Sequence, residues 1–272
     1  MKFKYIIIFF NILIIFVLSF VAVLPFAVFG MDMTAAFWQS AWPLALVLIA
    51  SLAGLNSFFL MNRRLFMLLE REDWPALTEY LENKIYHKGY YASRHVRLLL
   101  NSYLVLSDFG GALQLENKVA IAKPALLDAN AIIFGAARIL GGDARAAADF
   151  FQLRLEKGKI KEAQWLRWYY GFSLVLARLF DRAEEEFRAL VLSSNEPLIT
   201  GLSAFFLSGT LLKYSVNQAE CRSLAVKGRE RVVKALKNGE GWKRQAARIE
   251  TEVHAAIIKK YIDEAGAWLF KE

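Results

Sequence analysis

The segment GGDARAAADFF, residues 141–151, contains the pattern on which the fold prediction rests. Two turn glycines precede a helical run in which the small residue Ala147 is followed four positions later by Phe151. The segment FDRAEEEF, residues 180–187, repeats this arrangement with Ala183 and Phe187. The two segments therefore predict equivalent helices, 36 residues apart.

Three further segments align with these two at nearly the same interval. The aligned small or apolar residues are Leu77, Ala112, Ala147, Ala183 and Ala219, separated by 35, 35, 36 and 36 residues. Such regular spacing indicates an internal repeat of helix pairs. An irregular helical bundle is the alternative, because a chain rich in Ala and Leu produces some accidental spacing. No alternating strand pattern is present after Met61, so the domain is predicted to be all-α.

In this register the chain resembles the tetratricopeptide repeat (TPR) proteins. In that family a small residue opens helix B, an aromatic residue follows four positions later, and helix A carries a close-packing glycine. Gly135 and Gly171 match the glycine, Phe151 and Phe187 the aromatic residue, and Pro124 the proline that ends a repeat. Glu116 and Ser223 depart from the aromatic position. The resemblance implies an α-α solenoid of about five repeats over residues 62–238.

Two apolar segments precede the repeats. Tyr5–Phe29 and Phe37–Met61 contain no charged residue, and each would span about 37 Å as a helix, more than the roughly 30 Å hydrocarbon core of a bilayer. Residues 1–61 are therefore predicted to form a two-helix transmembrane anchor. A secretory signal is the competing interpretation of the first segment, but its apolar run is too long and lacks a convincing cleavage site.

The charges that flank these segments predict their orientation. Lys2 and Lys4 precede the first, Arg63 and Arg64 follow the second, and the connection Gly30–Ala36 contains Asp32 but no basic residue. By the positive-inside rule both ends of the anchor, and with them the repeat domain, are cytoplasmic. We expect a multi-pass protein of a bacterial inner membrane.

The repeat register also predicts how the anchor joins the first repeat. Helix A of that repeat would begin near Phe58, inside the second apolar segment, and continue through Arg64 to Leu69. No Gly-, Ser- or Pro-rich spacer separates the two. The second membrane helix is thus expected to run directly into the repeat domain.

The sequence offers little catalytic chemistry. Its three histidines, His87, His95 and His254, have no metal-ligand spacing, and the lone Cys221 excludes a disulfide framework and a CxxC site. Phosphate-binding loops and nucleophile elbows are absent. We therefore expect no enzyme activity and no cofactor.

The resemblance implies a concave groove lined by the A helices. It places Arg94, Arg97 and Asn101 on the concave side of repeat two, where Arg97 and Asn101 match two positions of the family's carboxylate clamp. The corresponding residues of repeat three, Ile132 and Ala136, do not continue the clamp. A carboxylate site and a solvated basic helix face both remain open.

Three aromatic residues of repeat four face the same predicted groove: Trp165, Trp168 and Phe172. Aromatic anchors are favoured in protein interfaces, but the same residues could form core between repeats. If they bind, the groove takes a peptide segment that is apolar near repeat four and acidic near repeat two.

Residues 239–272 are predicted to form a long amphipathic helix after a breaker at Gly239-Glu240-Gly241, with apolar residues from Trp242 to Trp268 at helical spacing. It would cap the solenoid; a partner site at Trp268, Leu269 and Phe270 is the alternative. The basic residues between 222 and 248 form a solvated face or also contact anionic lipid headgroups. Nucleic-acid binding is not expected, because no aromatic stacking motif accompanies them.

Together these features predict a membrane-anchored scaffold or adaptor that assembles a membrane or envelope complex through protein–protein interactions. The layout is similar to that of HemY-like membrane repeat proteins and of the repeat proteins of the spirochaete flagellar collar. A structural subunit of a flagellar motor or collar, and a regulatory accessory subunit of a membrane enzyme, are the alternatives.

Overall fold

The computed structural model describes residues 3–158, 162–249 and 255–270. No strand occurs in these ranges, so the all-α prediction is confirmed. The chain divides into two compact units, Met1–Tyr80 and Leu81–Glu272.

The first unit begins with α1, Phe3–Arg71, which is interrupted at Gly30. The backbone of Gly30 has φ 73° and ψ 179°, in a region that glycine adopts without a steric cost. Helical geometry resumes directly after it, and Thr34 donates its hydroxyl proton to the Gly30 carbonyl at 2.6 Å. The expected seven-residue connection is therefore wrong in length: the chain breaks the helix at a single glycine.

The two arms of α1 pack along a seam with one polar pair. Asn56 Nδ2 donates to Asn11 Oδ1 at 2.8 Å, and Asn11 Nδ2 donates back to Asn56 Oδ1 at 3.3 Å. The partly shielded residues around this pair recur at spacings of three and four: Asn11, Ile14, Leu18 and Val21 on one arm, Ala41, Ala45, Leu48, Leu52, Asn56 and Phe59 on the other. The amide pair satisfies both polar side chains within an otherwise apolar seam.

Each arm is long and apolar enough to cross a membrane, over Ile8–Val28 and within Phe37–Arg71. The second of these helices has 35 residues and is about 52 Å long at 1.5 Å per residue. It runs without interruption past Arg63 and Arg64 to Arg71, and α2, Trp74–Glu82, follows it. That this helix is part of a first repeat stays a prediction.

The second unit begins near the end of α2 and includes a π-helical turn at Asn83–His87 and a 3-10 turn at Leu211–Lys213. Its further helices are α3 (Ser93–Val105), α4 (Phe109–Ala122), α5 (Ala125–Ala129), α6 (Ala131–Leu140), α7 (Ala144–Glu156), α8 (Ala163–Leu176), α9 (Phe180–Ser193), α10 (Pro197–Ser208), α11 (Gln218–Leu236), α12 (Gly239–Ile249) and α13 (Ala255–Phe270). The longer helices from α3 to α11 pack on their neighbours in sequence, and α6, α8 and α10 also contact one another in turn.

One turn geometry recurs four times along the chain. The backbone N–H groups of Asp73, Asp108, Asp143 and Leu179 donate to carbonyls five residues earlier, those of Leu68, Tyr103, Arg138 and Leu174, at 3.2, 2.8, 3.1 and 2.9 Å. The preceding residue, Glu72, Ser107, Gly142 or Arg178, has a positive φ in each case. This is the Schellman end of a helix. Its intervals of 35, 35 and 36 residues equal those of the aligned sequence segments.

The helices that follow three of these turns, and also α11, start in the same way. Asp108 and Asp143 accept hydrogen bonds from the backbone N–H groups of Gly111 and Ala146, each at 2.9 Å. Asp73 and Asn217 do the same before α2 and α11, at 3.2 Å in both cases. The fourth helical residue is buried in each helix: Leu77, Ala112, Ala147, Ala183 and Cys221 are at most 1% exposed.

The prediction that Ala219 is the fifth equivalent residue is therefore wrong. Ala219 is exposed, and the buried fourth residue of α11 is Cys221. The 3-10 turn at Leu211–Lys213 lengthens the connection before α11, so the interval from Ala183 is 38 residues. A constant period could not anticipate this insertion.

The C-terminal prediction of one long helix is also wrong. Trp242 of α12 donates its indole N–H to the carbonyl of Ile262 in α13 at 3.0 Å, an approach impossible along a single helix. Gly239-Glu240-Gly241 is the first turn of α12 rather than a breaker. The break lies at Lys237, whose φ is 67°, and at Asn238, which caps α12 through Gly241.

Candidate functional site

The basic residues predicted for the groove lie on one side of α3. Arg94 and Arg97 are exposed, whereas Asn101 is half-buried. The buried Oδ1 of Asn101 accepts no hydrogen bond from the described residues. That oxygen is shielded from solvent, so the exposed groups on this side of α3 are the two guanidinium groups.

The aromatic half of the predicted groove is not exposed. Trp165, Trp168 and Phe172 are 8%, 0% and 2% exposed. Trp165 Nε1 donates to Glu196 Oε2 at 3.0 Å, and the rings of Trp168 and Phe172 stack with centroids 5.3 Å apart. The prediction that these residues bind a partner is wrong, because they form core between helices.

The C-terminal helix covers this core. The ring of Tyr261 on α13 lies 5.2 Å from those of Phe172 and Phe206. Leu269, offered as an exposed alternative, is 1% exposed. Ile132 and Ala136 on α6 are buried as well. The two predicted halves thus form no continuous open groove, and α3 retains the exposed part.

The basic residues between 222 and 248 differ in their contacts. Arg231 donates to the Val191 carbonyl at 2.8 Å and to Thr200 Oγ1 at 3.0 Å, where it caps the end of α9. Arg229 donates to the Leu269 carbonyl at 3.1 Å and lies over the Trp268 ring. The other basic residues of this region are exposed.

Sequence reasoning missed a polar cleft of about 470 Å³ between α7, α8 and α9. Arg167 pairs with Glu186 at 2.5 Å on its wall, and Arg182 donates to Tyr170 Oη at 2.5 Å and to Gln152 Oε1 at 2.9 Å. These residues come from three helices and form no local motif, so no sequence signal predicted them. Their polar groups are mostly satisfied by one another, and the cleft has no obvious reacting group.

A second missed cluster joins α2, α3 and the π-helical turn. Tyr103 Oη donates to Glu82 Oε1 at 2.6 Å and lies 3.1 Å from Tyr86 Oη. Burial raises the pKa of both phenols, and the carboxylate of Glu82 adds to the rise at Tyr103. Both tyrosines therefore remain neutral, and the cluster holds the π-helical turn against α3.

The remaining candidate groups form no reactive site. Burial lowers the pKa of His95, whereas that of Cys221 is raised by burial, and its Sγ donates to the Leu207 carbonyl at 3.4 Å. His87 is exposed, and His254 lies outside the described residues. Within the described ranges no group of His, Cys, Asp and Glu side chains could hold a metal ion.

Comparison with known proteins places the chain among proteins of Treponema. A family described as "Uncharacterised Treponema protein" matches residues 112–271. The chain belongs to this family. It is also 30% identical over 223 residues to an uncharacterised protein of Treponema pallidum (strain Nichols), a match that covers 79% of this chain and 71% of the relative. No solved structure matches the chain significantly.

Some of the candidate features lie inside the matched residues 112–271, and others lie before them. The Treponema family region contains the buried aromatic core, the polar cleft and the basic helices α11 and α12. Arg94, Arg97 and Asn101 precede it, as do the two apolar arms of α1.

Proposed function

We propose that the chain is a membrane-anchored TPR-like scaffold, which holds other proteins together at a bacterial inner membrane without catalysing a reaction. The observation that carries this proposal is the recurrent helix-ending turn. Four copies at intervals of 35, 35 and 36 residues indicate a repeated helix pair, and repeated helix pairs commonly serve as binding surfaces.

Two glycine contacts support the TPR type of repeat. A Cβ atom at Gly135 would overlap the Phe151 ring, and one at Gly171 would lie 3.2 Å from that of Phe187. These are the close helix A to helix B contacts that the resemblance implies. They occur in the two repeats with the strongest sequence match.

The apolar arms of α1 support anchorage. They are long enough to cross a bilayer, and Asn11 and Asn56 satisfy each other's amide groups within their seam. Basic residues at both outer flanks favour cytoplasmic termini, and hence a cytoplasmic repeat domain.

The α3 face is the partner surface that we propose. Arg94 and Arg97 are exposed there, and guanidinium groups bind carboxylates through paired hydrogen bonds. The proposed partner is a protein segment with acidic side chains. The aromatic contacts expected on α8 have no place in this interaction, since α13 covers them.

Charge reversal tests this surface. The double variant Arg94→Glu/Arg97→Glu should lose specific proteins from in-cell crosslinking to the full-length chain, because it would repel acidic segments. Arg145→Glu on α7 is the matched control, since Arg145 is also exposed. An unchanged set of crosslinked proteins, with thermal unfolding preserved, would remove the α3 face from the proposal.

A collar or motor subunit is the second candidate function. The relatives come from Treponema, a spirochaete genus, and the sequence layout is similar to that of spirochaete collar repeat proteins. A fluorescent fusion should then form foci near the flagellar motors at the cell ends. A uniform distribution along the cell envelope would argue against this candidate while leaving a general scaffold in place.

A further inference from the structure

The outer sides of α11 and α12 carry a concentrated positive charge. We refer to six of their exposed basic residues as the C-terminal basic face: Arg222, Lys227 and Lys234 on α11, Lys237 directly after it, and Lys243 and Arg244 on α12. On α11 these residues lie away from the buried Leu224, Gly228 and Val232. On α12 they directly follow the buried Trp242. All six side chains are exposed to solvent.

Internal contacts leave most of this charge uncompensated. Lys243 pairs with Glu240 at 2.9 Å, whereas the other five residues make no ion pair with the described residues. Glu220, at the start of α11, is engaged by Arg188 at 2.6 Å. Arg229 and Arg231 differ from the face residues because backbone carbonyls hold them in place. Most cations of the C-terminal basic face thus form no ion pair with the described residues.

Apolar side chains are exposed beside these cations. A cleft of about 450 Å³ between α11 and α13 is lined by Val226, Val233, Leu269 and Phe270, together with Arg229 and Glu230. A second cleft of about 350 Å³ between α12 and α13 is lined by Trp242, Lys243 and Phe270, among others. Phe270 borders both clefts, so they are adjacent. Val226, at the rim of the first cleft, is 47% exposed.

We propose that the C-terminal basic face binds the surface of an anionic lipid bilayer. Its Lys and Arg side chains would contact lipid phosphates, and Val226 and Phe270 would lie at the boundary between headgroups and acyl chains. Four of the six cations are lysines, whose compact charge on a flexible stem suits mobile headgroups more than a fixed carboxylate geometry. The two apolar arms of α1 supply the bilayer, so this inference rests on the proposed anchorage.

A fluorescent label on the apolar cleft tests the proposal. Full-length protein with Cys221→Ala and Val226→Cys carries an environment-sensitive dye and is reconstituted into lipid nanodiscs. The discs contain phosphatidylcholine alone or phosphatidylcholine with phosphatidylglycerol. We expect a blue shift and protection from aqueous iodide only with the anionic lipid. A label at Leu192→Cys on α9, where Leu192 is 64% exposed, should not respond.

Charge reversal on the C-terminal basic face is the second part of the experiment. Lys234→Glu/Lys237→Glu/Arg244→Glu should abolish the response at position 226 while thermal unfolding stays unchanged. A label that behaves alike in neutral and anionic discs would overturn the inference. Protection that appears only when acidic proteins of the native membrane are added, whatever the lipid charge, would assign the face to a protein and would also overturn it.

The two proposals fail in distinguishable ways. If the chain is recovered in alkali-washed discs but the Val226→Cys label does not respond, anchorage stands and the lipid contact is wrong. If the chain does not insert at all, the proposed anchorage fails and the lipid contact fails with it.

Discussion

Gly135 is the residue at which the packing of the repeats can be tested most directly. It lies on α6 against the Phe151 ring, and any Cβ there would overlap that ring. Gly135→Ala should therefore destabilise the protein by about 1–3 kcal/mol, because the ring or the backbone must move in a close-packed core. Thermal or denaturant unfolding of the full-length protein in detergent measures this loss.

Gly110→Ala is the control for that substitution. A Cβ at Gly110 would have ordinary contact with Asp108 Oδ1 at 3.7 Å, and alanine favours the helix by about 0.5–1 kcal/mol. This variant should be neutral or slightly stabilised. Equal losses from the two substitutions would show that the tight approach at Gly135 does not limit stability.

His95 should make stability depend on pH. It is 7% exposed on α3, and burial lowers its pKa below 6.5, with Lys84 and Arg94 adding repulsion. The unfolded chain therefore binds a proton that the folded chain excludes, and stability falls as the pH decreases below about 6.5. His95→Gln should reduce this decline between about pH 7 and pH 5, as measured by unfolding at each pH.

The surroundings of His95 explain why its charged form is disfavoured. Tyr90 packs against the imidazole with ring centroids 5.3 Å apart, and Nδ1 has no described hydrogen-bond partner. Burial and the charges of Lys84 and Arg94 all disfavour the charged form of the ring. Identical pH profiles for the wild type and His95→Gln would mean that His95 is protonated at little cost in the folded protein.

At the scale of helices, an ion pair replaces the aromatic contact that the repeat pattern lacks on α4. Glu116 stands at the aromatic position and accepts two hydrogen bonds from Arg138 on α6, one of them at 3.0 Å. The Arg138 guanidinium also lies 4.6 Å over the Phe150 ring. At this position of the proposed tetratricopeptide pattern, a partly buried pair between neighbouring helices thus takes the place of the aromatic contact.

A double-mutant cycle measures that compensation. Glu116→Leu should cost about 3–5 kcal/mol, because it leaves the Arg138 charge buried without a partner. Glu116→Leu/Arg138→Leu should recover a large part of this loss, since an apolar pair needs no charge compensation. Arg138→Leu alone completes the cycle. If its loss and that of Glu116→Leu simply add in the double variant, Glu116 and Arg138 are not coupled.

Local patterns explain why most elements could be predicted from the sequence. The turn at Gly142, the cap at Asp143 and the Gly135 to Phe151 contact depend on residues close together in the chain, and they repeat. The shift from Ala219 to Cys221 could not be predicted, because one irregular turn at Leu211–Lys213 changes the helix start. The Glu116 to Arg138 pair joins residues whose types give no pairing signal.

At the scale of the second unit, the candidate groove could not be predicted because its exposure depends on a distant element. Spacing placed Trp168 and Phe172 on one side of α8 correctly. Whether that side meets solvent was decided by α13, about 90 residues later, whose Tyr261 packs on Phe172. The α12 to α13 reversal that brings it there is stabilised by the Trp242 to Ile262 hydrogen bond, a contact without a sequence motif.

For the whole molecule, the orientation in the membrane is the prediction with the widest consequence. The arms of α1 reverse at Gly30 and are flanked by basic residues at their outer ends, so the connection should face outward and both termini inward. Green fluorescent protein fused after Glu272 should fluoresce, and alkaline phosphatase fused there should be inactive. Alkaline phosphatase fused after Thr34, behind one arm only, should be active.

The charges themselves provide the control for that experiment. Lys2→Glu/Lys4→Glu removes basic residues from one flank only and should leave the orientation intact, because Arg63 and Arg64 still hold the second arm. Adding Arg63→Glu/Arg64→Glu should produce a mixed orientation, with phosphatase activity appearing in the fusion after Glu272. An active phosphatase after Glu272 in the unmodified chain would place the repeat helices outside the cytoplasm, where the α3 face would meet a different set of partners.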